Sequence, residues 1–405
     1  MAHGILTDVL AAYVATACVP YIESASIRGR GSQNPCIWEN RPSGHKRTAS
    51  VKRGGPPVPI SAPLTAEAAG NLGILPVSHW QQAQEEDAAD DTDDTASTIG
   101  SLLSSTASLS QSIFEYRKIL GRTYNSNVGN AEAWQPNDAR HAEAMDIFHH
   151  LNTLILSGKL YTAPLPKKIQ KAVDIGTGTG IWAIDFADEF PEAEVIGTDV
   201  SPIQPTWVPP NLKFEIDDLN LEWTWPNNTF DYIHSRSLIG VVEDWEGFYR
   251  QAFRCCKPGG YVEDVSNSVK AFSLDGTVKE GSALDQWGKV FFEGRNKFGR
   301  TFKIVEDDIH RKCMEKAGFV DIVINDIQVP VGAWPKDKTQ QELGIWAKMA
   351  LESDLEGYVN YIWGVVLGWT PEEISTYCAA FRRELKNTRI HGMYTTRVSY
   401  ARKPE

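Results

Sequence analysis

The stretch VDIGTGTG, Val173 to Gly180, sets an acid, Asp174, inside a run of β-formers and then a glycine at every second position, Gly176, Gly178 and Gly180. A glycine-rich turn between strand and helix lets a ligand come up against the backbone. The dinucleotide fingerprint G-x-G-x-x-G requires a glycine where this chain has Ile181, and a phosphate loop requires a Gly-Lys-Ser/Thr that does not follow the turn. An acid in the strand suits a ligand with a sulfonium and an ammonium better than a pyrophosphate. S-adenosylmethionine (SAM) is therefore the expected cofactor of Asp174 and of the turn residues Gly176, Thr177, Gly178 and Gly180. About 20 residues past the turn, Asp199 ends the strand EVIGTD with Val200 behind it, where a carboxylate accepts from both ribose hydroxyls. The next strand ends at Asp217, with Asp218 beside it, in position for the exocyclic amine of adenine. These acids indicate an adenosine and do not alone separate SAM from NAD, so a nicotinamide oxidoreductase stays open on them.

Methyl transfer from a sulfonium is an in-line displacement. It needs an oriented nucleophile in a water-poor pocket, and a general base only where that nucleophile is protonated. In FDYIHSR, strand alternation puts Tyr232, His234 and Arg236 on one face and Ser235 on the other. His234 and Arg236 are the candidates for lining the transfer zone. For His234 two roles are open, a base beside the cofactor or a core histidine with a backbone partner. Glu263, just past KPGG, either orients an amine or satisfies a nearby backbone group or arginine.

The elements that must position these residues follow from Lys171 onward. KAVDI, AEVIGTD, LKFEID, FDYIHSR and GGYVEDV read as strands, and IWAIDFADEF and WEGFYRQAFRCC as helices. That alternation predicts an α/β fold with a mostly parallel sheet and a ligand at the carboxyl ends of its strands. Upstream, HAEAMDIFHHLNTLILSGKL has helical spacing and stops at Gly158, with the adjacent His149 and His150 pointing in different directions. Downstream, helices SALDQWGKVFFEGRNKFG and EDDIHRKCMEKAGF precede the strand VDIVINDIQVPVG, and GMYTTRVSYARKP reads as the last strand. The insertion between those strands, about 336–390, predicts a helical cap whose aromatics Trp346, Tyr358, Tyr361, Trp363 and Trp369 build its core or, as the alternative, a substrate box.

With 405 residues and a net charge of −12, the chain has ample core and lacks the basic balance of a nucleic-acid binder. Its six cysteines show no zinc-ligand spacing, so reduced thiols and no metal are expected. Residues 1–25 are apolar but carry Asp8 and no basic start, which predicts no membrane span and leaves a peripheral helix or a leader open. The basic stretch with Lys46-Arg47 and Lys52-Arg53, the acidic EEDAADDTDD and the Ser/Thr run predict that about 26–110 is mostly disordered. The expected organisation is thus an N-terminal extension, 1–111, a helical cap segment, 112–165, and a catalytic domain, 166–405. The expected compartment is the cytoplasm, with a nuclear address open and protein partners open through the extension.

The order of glycine turn, ribose acid, adenine acid and KPGG resembles that of class I (Rossmann-like) methyltransferases, whose seven-stranded sheet is mostly parallel with an antiparallel last strand. More specifically, EYRKILGRTY, WQPNDARHAEAMDIFHHLN, GKLYTAPL, VDIGTGTGIWAIDFADEFPEAEVIGTDVSPIQPTWVPPNLKFEIDD, FDYIHSR and KPGGYVE resemble the LaeA-like fungal SAM-dependent methyltransferases. The resemblance covers about 112–405, and GTDVSPIQPTWVPPN is its most specific part. HAEAMDIFHHLN and CCKPGG depart from the family in being less acidic and in lacking a leucine before the lysine. The resemblance implies SAM as cofactor and one of two roles. The first is tailoring of a small or peptidic secondary metabolite, mycotoxins included, at N or O; the second is nuclear regulation of metabolite gene clusters.

Overall fold

The computed structural model describes residues 63–87, 114–126 and 133–405. Seven strands form one sheet: β3 (Lys171–Ile175), β4 (Glu194–Asp199), β5 (Leu212–Ile216), β6 (Phe230–Arg236), β7 (Cys256–Asn267), β8 (Val320–Pro330) and β9 (Met393–Arg402). Their order is β5-β4-β3-β6-β7-β9-β8. β3 pairs in parallel with β4 and β6, β4 with β5 and β6 with β7, while β9 runs antiparallel to both β7 and β8. The switch from β4 to β6 on either side of β3 makes the carboxyl end of β3 the point where a ligand crevice opens.

Period-two alternation divides the core. Ala172, Val195 and Tyr232 pack with Trp182, Ala183 and Phe186 of helix α4 (Ile181–Glu189), while Val173, Ile196 and Ile233 join the larger cluster. That cluster also takes Trp245, Phe248 and Tyr249 of α5 (Trp245–Cys255) and Cys313 and Met314 of α7 (Ile309–Ala317). Ala172, Val173 and Ile175 of KAVDI are buried between the two faces, with Lys171 half-buried at the start of the strand and Asp174 its one buried polar residue.

The cap contains α3 (Ala139–Ile155), α6 (Ala283–Phe298), α8 (Lys338–Ser353), α9 (Leu355–Tyr361), a π-helical turn (Ile362–Val366) and α10 (Pro371–Lys386). Asp138 caps α3, Asp337 caps α8, and Thr370 with Glu373 forms a capping box ahead of Pro371 on α10. One guanidinium ties three cap pieces together: Arg122 donates to both oxygens of Asp138, at 2.6 and 2.7 Å, and to both of Asp354, at 2.8 and 2.9 Å. Tyr361 and Trp363 are fully buried and belong to the cap core, as Trp346 does.

Two sequence expectations need correction. The extension is folded over 63–87: α1 (Ala66–Asn71) and α2 (Val77–Asp87) bring Ile74 and Trp80 into the core, with Trp80 edge-on to Tyr377 at 5.3 Å. Averaged over a long polar window, the few anchors Ile74, Leu75 and Trp80 disappear, yet they suffice to dock a short segment on an existing cap. The segment 112–165 is also not all helical. β1 (Arg117–Ile119) and β2 (Arg122–Tyr124) form a hairpin whose turn residues Leu120 and Gly121 both take positive φ, 48° and 79°, as a two-residue hairpin turn requires. The expectations for residues 1–25 and for the basic cluster lie outside the described residues, as does most of the acidic and Ser/Thr tract.

Candidate functional site

The crevice at the end of β3 continues as one cavity between the strand ends, its floor, and the cap helices, its roof. Gly176 and Gly180 take φ of 71° and 82°, and a Cβ would stand 2.4 Å from Leu238 Cδ2 at the first and 2.3 Å from Phe214 Cζ at the second. Only glycine therefore makes this turn. Gly178 faces the roof, where a Cβ would fill the gap to Met145 Sδ of α3, 3.2 Å away. Thr177 N–H donates to the Thr198 carbonyl at 2.8 Å, locking the turn onto β4.

Asp174 is buried and its oxygens are already engaged. One accepts from the Thr177 hydroxyl at 2.6 Å and the other from His234 Nδ1 at 2.7 Å. Parallel register makes this pair, since Asp174 lies directly opposite His234. The His234 ring stacks flat on Trp182, 3.6 Å between centroids and 6° between planes, and its Nε2 has no partner. Asp174 thus acts on the site by positioning Thr177 and His234. Asp199 accepts from Gly178 N–H and Ser201 N–H, both at 2.9 Å, so its carboxylate is aimed by the turn it serves. Burial lifts its pKa to about 6 against the opposing hydrogen bonds of Ser201, Gly178 and Val200, and the charge of Asp174 adds to the rise.

Arg236 lines the cavity and donates from Nη1 to His149 Nδ1 at 3.2 Å, while His149 Nε2 donates to Asp185 at 2.9 Å. These contacts keep His149 neutral with its proton on Nε2. Burial and the adjacent guanidinium push its pKa down, outweighing the Asp185 hydrogen bond. His150 turns the other way, edge-on to Trp346 at 4.2 Å.

Nine of the sequence candidates reach this cavity: Asp174, Gly176, Thr177, Gly178, Asp199, Val200, Asp217, His234 and Arg236. Gly180 sits beneath the turn against Phe214. Asp218 caps its own turn, accepting from Asn220 N–H at 3.0 Å, and is not a lining residue. Glu263 does not reach the cavity either. It is fully buried, with Thr162 N–H, the Thr162 hydroxyl and Ala163 N–H donating to it at 2.7, 2.9 and 2.9 Å, and the Tyr232 hydroxyl at 3.0 Å. Of its two sequence readings, the geometry matches the satisfaction of nearby backbone groups.

Sequence reasoning missed most of the roof. Asn137, His141, Met145 and Phe148 follow one another at helical spacing and all line the cavity, joined by Trp134, Tyr358, Trp287, Leu284 and Phe381. That stripe, half polar and half apolar, was the available signal. Among the aromatics of the insertion singled out from the sequence, Tyr358 alone is a lining residue.

The acids and the bare turn suit SAM: Asp199 and Asp217 offer carboxylates where a ligand's hydroxyls and amine would need acceptors, and no lysine stands at the turn to meet a phosphate. Comparison with known proteins agrees. A methyltransferase domain family matches residues 147–323. Methyltransferase pytC of Aspergillus terreus is 35% identical over 302 residues, 74% of this chain and 92% of that protein. Secondary metabolism regulator LAE1 of Cochliobolus heterostrophus is 33% identical over 276 residues, 67% of this chain and 89% of that one. Probable methyltransferase tdiE of Emericella nidulans is 30% identical over 262 residues, 65% and 81% respectively.

Proposed function

This chain belongs to the LaeA-like family of fungal SAM-dependent methyltransferases, and on that premise we propose that it methylates N or O of a small secondary metabolite as a tailoring enzyme. The observation that carries this reading is the continuity of the cavity. The same space that is lined by Gly176, Gly178 and Asp199 is lined further on by Leu284, Trp287, Tyr358 and Phe381, an apolar wall that fits a metabolite body. When bound, SAM supplies a methyl group on a sulfonium; the acceptor's lone pair forms the new bond to carbon, and the carbon–sulfur pair stays on sulfur.

The rest is the work of this chain. Asp199, oriented by two backbone donors, would accept from the ribose hydroxyls of SAM, and Asp217 would accept from its adenine amine. Trp182 and His234 form a rigid floor beside the turn. The cap excludes water and holds the acceptor in line, a contribution on the order of 7–11 kcal/mol when alignment is good.

The compartment we propose is the cytoplasm, where a tailoring enzyme would meet SAM and its metabolite. Separately, no helix among the described residues is long and apolar enough to cross a membrane. The similarity to LAE1 favours a second reading, a nuclear regulator working through protein partners. Mass spectrometry of metabolites from wild-type and gene-deleted strains separates the two. A tailoring enzyme leaves one metabolite short of one methyl group, whereas silencing of several unrelated metabolites supports the regulator.

A further inference from the structure

Four buried histidines among the described residues face an aspartate, and they differ in what their second nitrogen does. His310 meets Asp264 and Ser266 at Nε2, 2.9 and 3.1 Å, and the Tyr249 hydroxyl at Nδ1, 2.7 Å, so its ring is fully engaged below the sheet. His149 is likewise occupied on both sides. His234 has a bare Nε2, but its ring belongs to the floor, clamped between Asp174 and Trp182. His141 is the fourth: Nδ1 donates to Asp354 at 2.8 Å, the side chain is fully buried, and Nε2 has no partner although the residue lines the cavity.

The surroundings of His141 place it on the roof near the cofactor turn. Met145, one helical turn further along α3, packs over Gly178. Asn137, one turn earlier, donates to the Ser201 hydroxyl at 3.2 Å, two residues beyond Asp199, and its own Oδ1 is buried without a partner. The Tyr358 ring stands edge-on to His141 at 5.3 Å. With its proton held on Nδ1 by a carboxylate, His141 presents a lone pair at Nε2, and Asn137 adds a second bare acceptor. Buried acceptors of this kind are matched by a ligand that donates.

We propose that His141, positioned by Asp354, is the catalytic base that receives the proton of the methyl acceptor, and that this acceptor is a neutral hydroxyl on an apolar body. The proposal rests on the methyltransferase reading above. The hydroxyl oxygen forms its bond to the methyl carbon, the carbon–sulfur bond breaks with its pair left on sulfur, and the O–H proton passes to Nε2. The resulting imidazolium lies against the Asp354 carboxylate and returns its proton to water as product leaves. A cationic ammonium fits less well, because Arg122 and Arg140 together already offset the charges of Asp138 and Asp354 at this end of the cavity.

Groups facing His141 are the Asp354 carboxylate with Arg122 and Arg140 upon it, the Asp138 carboxylate at the start of α3, which accepts from the His141 backbone N–H at 3.2 Å, and the edge-on Tyr358 ring. Asp354 is held below the usual carboxylate range: burial alone would raise it, and the hydrogen bonds from His141 and Arg122 outweigh burial.

Two measurements test the assignment on the full chain. Nitrogen NMR with S-adenosylhomocysteine bound should find the His141 proton on Nδ1, toward Asp354, and Nε2 bare; a proton on Nε2 overturns the proposal. His141→Gln, checked by thermal melting, is then assayed with methyl-deuterated SAM and an extract of the gene-deleted strain as acceptor source. Turnover should fall about 10²–10⁴-fold and lose its rise with pH, while the calorimetric Kd for SAM stays within about twofold. Retention of turnover within about threefold, with an unchanged pH profile, overturns it. Should the wild type transfer no methyl at all, the tailoring reading fails, and the NMR measurement still decides the state of His141.

Discussion

The floor and the roof of the cavity each hold a histidine against an aspartate, but they are assembled differently. On the floor, Asp174 and His234 are neighbours in a parallel register, and adjacent strands bring them together whatever else the chain does. On the roof, His141 and Asp354 are 213 positions apart, and Arg122, 232 positions from Asp354, must hold the hairpin, α3 and the start of α9 in one place for the pair to exist. A site built on the sheet inherits the rigidity of its scaffold; one built on helices depends on a polar clamp.

Removing the clamp should separate the two halves most strongly. Arg122→Ala leaves Asp138 without its cation and Asp354 with Arg140 alone, at 3.2 Å, and breaking such a part-buried network costs about 3–5 kcal/mol, read as a lower midpoint in chemical denaturation. SAM binding by calorimetry should persist, because the floor does not need Arg122. Loss of both together would mean that floor and roof fold as one.

The next largest effect concerns the floor alone. Asp199 has a folded-state pKa of about 6, above its ordinary 3.8. Between those values the folded state holds a proton that the unfolded chain has released, so stability falls as pH rises through this window, by up to about 3 kcal/mol. SAM affinity should move oppositely, weakening below pH 6 as the acceptor becomes protonated. Asp199→Asn should flatten the stability profile over that window and weaken SAM binding by about 10–100-fold, the worth of a charged hydrogen bond. A profile that keeps its slope in this variant assigns the titration to another group.

A smaller change sharpens the contrast from the other side. Thr370→Ala removes the capping box of α10 and should cost about 1 kcal/mol, seen as a modest fall in melting temperature. SAM affinity should not change.

The same contrast explains what could be read from the sequence. VDIGTGTG, Asp199, Asp217 and FDYIHSR announce themselves because a strand, a turn and a helix impose fixed local spacings, and alternation alone sorted His234 and Arg236 from Ser235. The roof has no such spacing. Nothing local links Arg122 to Asp354, and His141 looked like one polar residue on a helix until the cap closed around it. The docking of 63–87 was hidden for a related reason: Trp80 needs Tyr377 to pack against, and that partner lies across the chain. Glu263 was misleading in the opposite sense, being a charged residue next to a motif and in register with His234 but turned toward Thr162 and Ala163.

That carboxylate has an evolutionary consequence. Two backbone N–H groups and two hydroxyls all donate to Glu263, so the position accepts hydrogen bonds and gives none. Glutamine would turn an amide N–H₂ toward groups that already point donors inward, and aspartate would fall one methylene short of the strap it fastens. Drift at this position is therefore closed in every direction. Invariance at residue 263 across relatives would record the fastening of a loop to a strand, and not a part in methyl transfer.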